Sequence, residues 1–185
     1  PLSMTGRSFS LHGGAGRAIK PARNAAIGEA IERYCLSIVE ENDIVLGTAD
    51  SESRICPQRF NNLPREVDRG TKYYWTDAVD MHTGDQIEVP AQLVYCPFDA
   101  HEVYLRNPIT TGAAAHTTYR TAVTKGLLEV LEREAYIINY LREIPNRRIP
   151  EAEIEDTPGE DIIQKLEDAN FDVNLIYLTL DIPVH

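Results

Sequence analysis

The chain has 185 residues, 43% of them hydrophobic and 25% charged, an ordinary balance for a folded globular domain that excludes disorder of the whole chain. Its net charge of −11 argues against a nucleic-acid partner held through its phosphates, because such binding relies on Lys and Arg to neutralise them. An acidic chain that handles a nucleotide needs a divalent cation between the two.

In chain order, Leu11-His12-Gly13-Gly14-Ala15-Gly16 is a glycine-bearing stretch, and a helix is predicted after it from about Pro21 to Glu41. Short runs rich in β-branched and aromatic residues predict strands at Ile44–Gly47, Tyr73–Val79, Ile87–Tyr95 and Val173–Ile182. A second small-residue stretch, Thr110-Thr111-Gly112-Ala113-Ala114-Ala115, precedes a helix from about Thr118 to Leu141, with Thr117 or Thr118 as its cap. Residues 146–161, with Pro150, Pro158, Gly159 and many carboxylates, read as a solvated connector, and a short helix over Glu160–Ala169 follows. The last strand stops three residues before the end, at His185, without a closing element, so a piece of a longer protein is expected. No apolar run approaches the roughly 18–20 residues of a membrane span, and no basic-then-apolar leader is seen; a cytoplasmic protein with no membrane partner is expected. Cys35, Cys56 and Cys96 form no C-x-x-C pair and read as reduced thiols without a metal role.

The two long helices carry the same pattern. Glu29-Ala30-Ile31-Glu32-Arg33 superposes on Glu129-Val130-Leu131-Glu132-Arg133, and Ala22 on Ala122. At 100° per residue, Ile27, Ile31, Tyr34 and Ile38 cluster within about 60°, with Glu29, Glu32 and Arg33 on the opposite side. The first helix is therefore expected to turn its apolar stripe to a sheet. Glu29 with Arg33, and Glu129 with Arg133, are i, i+4 pairs in the favourable order, each stabilising a helix by roughly 0.2–0.5 kcal/mol. Glu32 and Glu132 have no basic residue four positions away, so pairing of that kind does not account for them. A solvated charged face and a metal or phosphate site both remain open on these residues alone. Were the carboxylates of the two helices to meet at about 4 Å, each pair would repel by about 4 kcal/mol at an effective dielectric near 20, and cations would be required. An all-oxygen donor set selects Mg²⁺, Ca²⁺ or Mn²⁺. A di-iron carboxylate site needs Glu-x-x-His, and Cys35 and Ala135 stand where the His would be. The glycine-bearing stretches allow backbone N–H groups to approach an anion, yet they also suit plain turns, and neither is a Walker motif.

With these elements in order, nearly the whole chain resembles the YcaO family of ATP-dependent enzymes that act on peptide backbone amides. The resemblance is carried by Gly13-Gly14-Ala15-Gly16 with Ala22 and Ala26-Ile27-Gly28-Glu29-Ala30-Ile31-Glu32-Arg33-Tyr34-Cys35. It continues through Trp75, Asp80, Thr83-Gly84, Val89-Pro90-Ala91 and Val94-Tyr95. It ends in Thr111-Gly112-Ala113-Ala114-Ala115, Ala122 and Leu128-Glu129-Val130-Leu131-Glu132-Arg133-Glu134-Ala135. The fold implied is α+β, with long helices packed on one face of a mixed β-sheet in two pseudo-repeated helix-on-sheet units. Residues 1–185 would then be a partial ATP-binding domain of this type, with the acidic connector 146–161 within it.

The resemblance implies that Glu29, Glu32, Glu129 and Glu132 hold Mg²⁺ and the ATP phosphates, with Arg133 and Gly112 beside the phosphates; Arg33 is assigned to pairing with Glu29. No catalytic residue is assigned. The activity implied is azoline formation in a ribosomally made precursor peptide, as in bacteriocin biosynthesis. A Cys, Ser or Thr attacks the preceding amide, ATP phosphorylates the resulting oxyanion, and phosphate leaves. The implied partners are the precursor peptide and a ubiquitin-activating-enzyme-like peptide-binding protein, and a homodimer is allowed. Three departures bear on competence: Ala15 stands where many members have Lys, Ala25 where the motif often has Ser, and Thr121 where a Glu commonly precedes the Ala. Gly-Gly-Ala-Gly resembles the azole-forming branch. Ala25 and Thr121 motivate the alternative of a non-catalytic scaffold that docks peptide or partner enzyme. Thioamidation and ribosomal-protein methylthiolation are the other activities within the family.

Overall fold

A computed structural model describes residues 12–60, 70–98 and 101–178. Its principal elements are α1 (Ile19–Leu36), β1 (Val45–Gly47), β2 (Tyr73–Val79), β3 (Gln86–Pro90), α2 (Tyr119–Arg142) and α3 (Glu160–Asp168). This is the α+β architecture expected from the sequence. The chain divides into two compact units, Pro1–Gly126 and Leu127–His185, and the division falls within α2.

The first unit is organised around β2. Alternation along Tyr73-Tyr74-Trp75 sends Tyr73 and Trp75 to one face of the sheet, where they are fully buried with Leu105 and covered by Ala49 and Leu93. The two rings meet edge to face at 6.4 Å. The Trp75 indole N–H, which would be costly to bury unpaired, donates to the Gly47 carbonyl at 2.8 Å. The strands pair antiparallel in the order β1, β2, β3, with Trp75 opposite both Val45 and Pro90. Among the described residues the parallel component is one bridge, Arg54 with Glu88, on the outer side of β3. There Arg54 donates from Nε to Glu88 at 3.2 Å and from Nη1 to the Thr48 carbonyl at 2.8 Å, while its guanidinium lies 5.2 Å from the Trp75 ring centre. Asp80 organises the β2–β3 turn by accepting the N–H groups of His82 and Thr83. Gly84 adopts φ +83°, a conformation glycine reaches without Cβ strain.

Several boundaries differ from the sequence reading. The strand expected over Ile87–Tyr95 ends at Pro90, which lacks a ladder donor and leads into a 3-10 turn at Ala91–Leu93. α1 ends at Leu36 rather than Glu41. Ser37 caps it, its N–H reaching the Tyr34 and Cys35 carbonyls and its hydroxyl donating to Tyr34. Glu40 and Asp43 then cap a separate 3-10 turn. The apolar stripe of α1 is a further correction. Ile27, Ile31, Tyr34 and Ile38, expected against the sheet, are between 41% and 66% exposed. The face of α1 that is covered is the opposite one, for a reason that lies in the loop before it.

The second unit holds the rest of α2, then α3 and the segments around it. At the start of α2, which belongs to the first unit, the expected cap Thr118 accepts the Thr121 N–H at 3.3 Å. The strand expected over Val173–Ile182 is not formed in its described part, and residues 179–185 lie outside the described residues. Residues 147–149 and 175–177 instead make a short antiparallel contact around the Arg148–Ile176 bridge. Glu153 fastens it, accepting from Arg147 at 2.7 Å and from the Tyr177 hydroxyl. A sequence-level strand pattern cannot distinguish such a clamp from a ladder, because both bury alternate residues. Glu160 and Asp161 lie in the first turn of α3 and Lys165 in its last, the arrangement its dipole favours.

Candidate functional site

The loop before α1 lies on the helix face made of Ala22, Ala26, Glu29 and Arg33, residues that share one side at 3.6 per turn. A Cβ at Gly14 would run into the Ala22 carbonyl and the Ala26 amide, and one at Gly16 would lie 2.8 Å from the Ala22 nitrogen. Backbone therefore rests on helix with no room for side chains. That contact explains why the charged face of α1 is the covered one. It also brings the Gly13 N–H to Glu29, to which it donates at 3.0 Å.

The same device recurs at α2. Gly112, at φ +90°, presses its carbonyl against Gly126 so closely that a Cβ at Gly126 would overlap it. Gly126 occupies the position in α2 that Ala26 occupies in α1, one turn before the first Glu of the motif. The internal repeat is thus a small residue in the helix, Ala26 in α1 and Gly126 in α2, with a glycine loop seated on it and Glu-x-x-Glu-Arg one turn further on. In the sequence Ala22 and Ala122 mark the repeat, but their spacing does not announce that Ala22 seats backbone.

The charged residues are arranged as follows. Arg33 approaches Glu29 at 3.8 Å and Glu32 at 3.7 Å, so it bridges both carboxylates of its motif. Glu32, which has no basic residue four positions away, is reached instead by the adjacent Arg33, whose Nε lies near enough to its own backbone to meet a neighbour. Arg133 approaches Glu129 at 3.4 Å, as expected for i, i+4. Among the described residues Glu132 is exposed and makes no ion pair, so the second motif leaves one carboxylate uncommitted where the first leaves none. Glu29 and Glu32 belong to one unit, Glu129, Glu132 and Arg133 to the other. Among the described residues no three His, Cys, Asp or Glu side chains converge into a metal cage. The donors are nonetheless of the type Mg²⁺ takes, hard carboxylate oxygens left partly open to solvent, and that ion needs only one or two of them where phosphates share it. The residues fit the group. Thr121, where the resemblance leads to the expectation of Glu, is engaged with the hydroxyl of Thr118 at 2.8 Å. Cys35, Cys56 and Cys96 are free thiols. Among the described residues no helix is long and apolar enough to cross a membrane.

Gln92 and Glu102 stand in none of the sequence motifs. Glu102 accepts the Tyr74 N–H at 2.6 Å and the Gln92 amide at 2.5 Å, and burial pushes its carboxyl above the usual range despite those two bonds. No local pattern marks such a pair, because its members meet only once the sheet has formed.

The family model for YcaO cyclodehydratase, ATP- and Mg²⁺-binding, matches residues 13–185. An uncharacterized protein of Methanothermobacter thermautotrophicus is 28% identical over 182 residues, 94% of this chain and 46% of that protein. The chain thus spans about half the length of that curated relative. Among solved structures, YcaO from Methanopyrus kandleri bound with AMPPCP and Mg²⁺ is 26% identical with a TM-score of 0.66, over 85% of this chain and 38% of that one. A heterocyclase in complex with substrate and cofactor has a TM-score of 0.78 at 18% identity, over 91% of this chain and 26% of that one, and shows likeness of fold.

Proposed function

Because the chain belongs to the YcaO family, we propose that it supplies part of the Mg-ATP site of an enzyme that activates backbone amides in a precursor peptide. Glu29, Glu32, Glu129 and Glu132 hold Mg²⁺, while Arg133 and the backbone at Gly112 meet the phosphates. The observation that carries this reading is the repeated seating of a glycine loop on the helix face that bears Glu-x-x-Glu-Arg, with Gly13 donating to Glu29. A loop packed that tightly holds its N–H groups in place before a ligand arrives, which is the form electrostatic preorganisation takes. When bound, Mg-ATP supplies charge neutralisation and the phosphoryl group that makes an amide oxygen able to leave. The protein's own part is to supply the carboxylates and the guanidinium. Arg33, already shared between Glu29 and Glu32, orients those two carboxylates.

The reaction favoured is thiazoline or oxazoline formation in a ribosomally made peptide, in the cytoplasm, with a peptide-binding partner protein. ADP release by the whole protein, given partner and peptide, tests it; a full rate in a Glu29→Gln, Glu129→Gln double variant would sink it. A second reading, a non-catalytic scaffold that docks peptide or partner enzyme, is favoured by one observation. Thr121 is tied into the cap of α2 where the family commonly has a carboxylate. Calorimetry separates the two, since a scaffold takes up no Mg²⁺-dependent ATP.

A further inference from the structure

Gln92 is only 6% exposed, and both N–H donors and the oxygen of its amide are engaged. Nε2 donates to Glu102 Oε1 at 2.5 Å and to the Val103 carbonyl at 3.0 Å, and Oε1 accepts the Leu105 N–H at 2.7 Å. An amide that donates to one main-chain carbonyl and accepts from a nearby N–H acts as an extra strand residue. The other oxygen of Glu102 accepts the Tyr74 N–H at 2.6 Å. Two side chains therefore join β2, the turn after β3 and the segment 102–105. Leu105, 2% exposed, is already anchored among Tyr73 and Trp75 by its burial. What the polar pair adds is register, because hydrogen bonds to Val103 and Leu105 can be made in one alignment only.

A short stretch leads from Leu105 to Gly112, where the carbonyl is pinned against Gly126 and Ala113 closes a turn on Thr110 at 3.0 Å. The stretch is thus held at both ends, by Gln92 and Glu102 at one and by the α2 seat at the other. A slip of one residue at Leu105 changes by one residue the length of chain that reaches the loop at Gly112. We propose that Gln92 and Glu102 are positioning residues for the second glycine loop, which set the affinity of the site for a nucleoside triphosphate without touching it. This rests on the Mg-ATP reading above.

The test is steady-state kinetics of the whole protein with Mg²⁺ and peptide. In Gln92→Leu the ATP KM is expected to rise about tenfold with kcat held within about twofold, the pattern of lost binding rather than lost chemistry. Gln92→Glu, which sets two carboxylates face to face, raises KM as well. Adding Glu102→Gln to it restores one donor–acceptor contact and recovers part of the loss. A purely structural pair would instead lower the yield of folded protein and leave the KM of the folded fraction unchanged. A folded Gln92→Leu with wild-type KM overturns the proposal. If that variant does not fold, Glu102→Gln alone decides: one of its two acceptors is gone, and an unchanged KM is equally fatal. A parallel Glu29→Gln variant separates the levels. Intact ATP use there defeats the Mg-ATP reading itself, whereas its loss beside an unchanged Gln92→Leu defeats the positioning role alone.

Discussion

Gly13 donates its backbone N–H to the Glu29 carboxylate at 3.0 Å across the interval between the glycine loop and the middle of α1. The contact exists because Gly14 lies where no side chain fits, against the Ala22 carbonyl and the Ala26 amide. Gly14→Ala and Gly126→Ala should therefore each destabilise by about 1–3 kcal/mol through overpacking. Gly28 is the control. Nothing lies within 4 Å of a Cβ there and it sits inside α1, so Gly28→Ala should stabilise by about 0.5–1 kcal/mol. Urea midpoints of the three variants check all three signs.

Arg33 and Arg133 hold the same place in the repeat but should respond differently. Both pairs are substantially solvent-exposed, so removing either guanidinium should change stability by under about 0.5 kcal/mol. Arg133→Ala should raise the ATP KM about tenfold if it meets phosphate, the loss expected for one charge-assisted hydrogen bond. Arg33→Ala should act less strongly, through the Glu29 and Glu32 that it orients. Equal effects in ATP kinetics would show that the two motifs share one role.

Glu102 makes stability depend on pH in a defined direction. Its folded-state carboxyl is held above the ordinary value, chiefly by burial, so the folded protein favours the protonated form more than the unfolded chain does. Its contribution is fully present below the unfolded pKa and is lost as pH rises through the raised one. Glu102→Gln should remove that part of the slope. Thermal unfolding of both proteins across the acidic range reads the difference.

Arg54 is a fourth test, this one of the sheet. It pairs with Glu88 at 3.2 Å, donates to the Thr48 carbonyl and lies over Trp75, with side chains mostly buried at the pair. Arg54→Ala should cost about 2 kcal/mol, the scale of charge-assisted hydrogen bonds lost in a sheltered site. Arg54→Lys should cost nearly as much, because an ammonium reproduces neither the fork nor the stacking. Chemical denaturation of the two variants measures both.

Sequence and structure agree where local chemistry decides. Tyr73–Val79 is a strand in both, since local alternation with aromatic residues leaves little choice. The Glu–Arg pairs were legible because i, i+4 spacing is a property of any helix. The face of α1 that would be covered was not legible. Periodicity locates two faces, but which one meets the chain depends on a backbone contact between Gly14 and the Ala22–Ala26 turn. The end of β3 at Pro90 turned on a missing donor, and the fate of Val173 onward on a clamp by Glu153 from outside its own segment. Gln92 and Glu102 meet only in the folded sheet, so no spacing announces them.

The Mg-ATP assignment is tested most directly by calorimetric titration of ATP into the whole protein, with and without Mg²⁺, beside the Glu29→Gln, Glu129→Gln double variant. Mg²⁺-dependent binding that the double variant loses is the predicted result. Equal binding by both proteins, or none by the wild type, would contradict it.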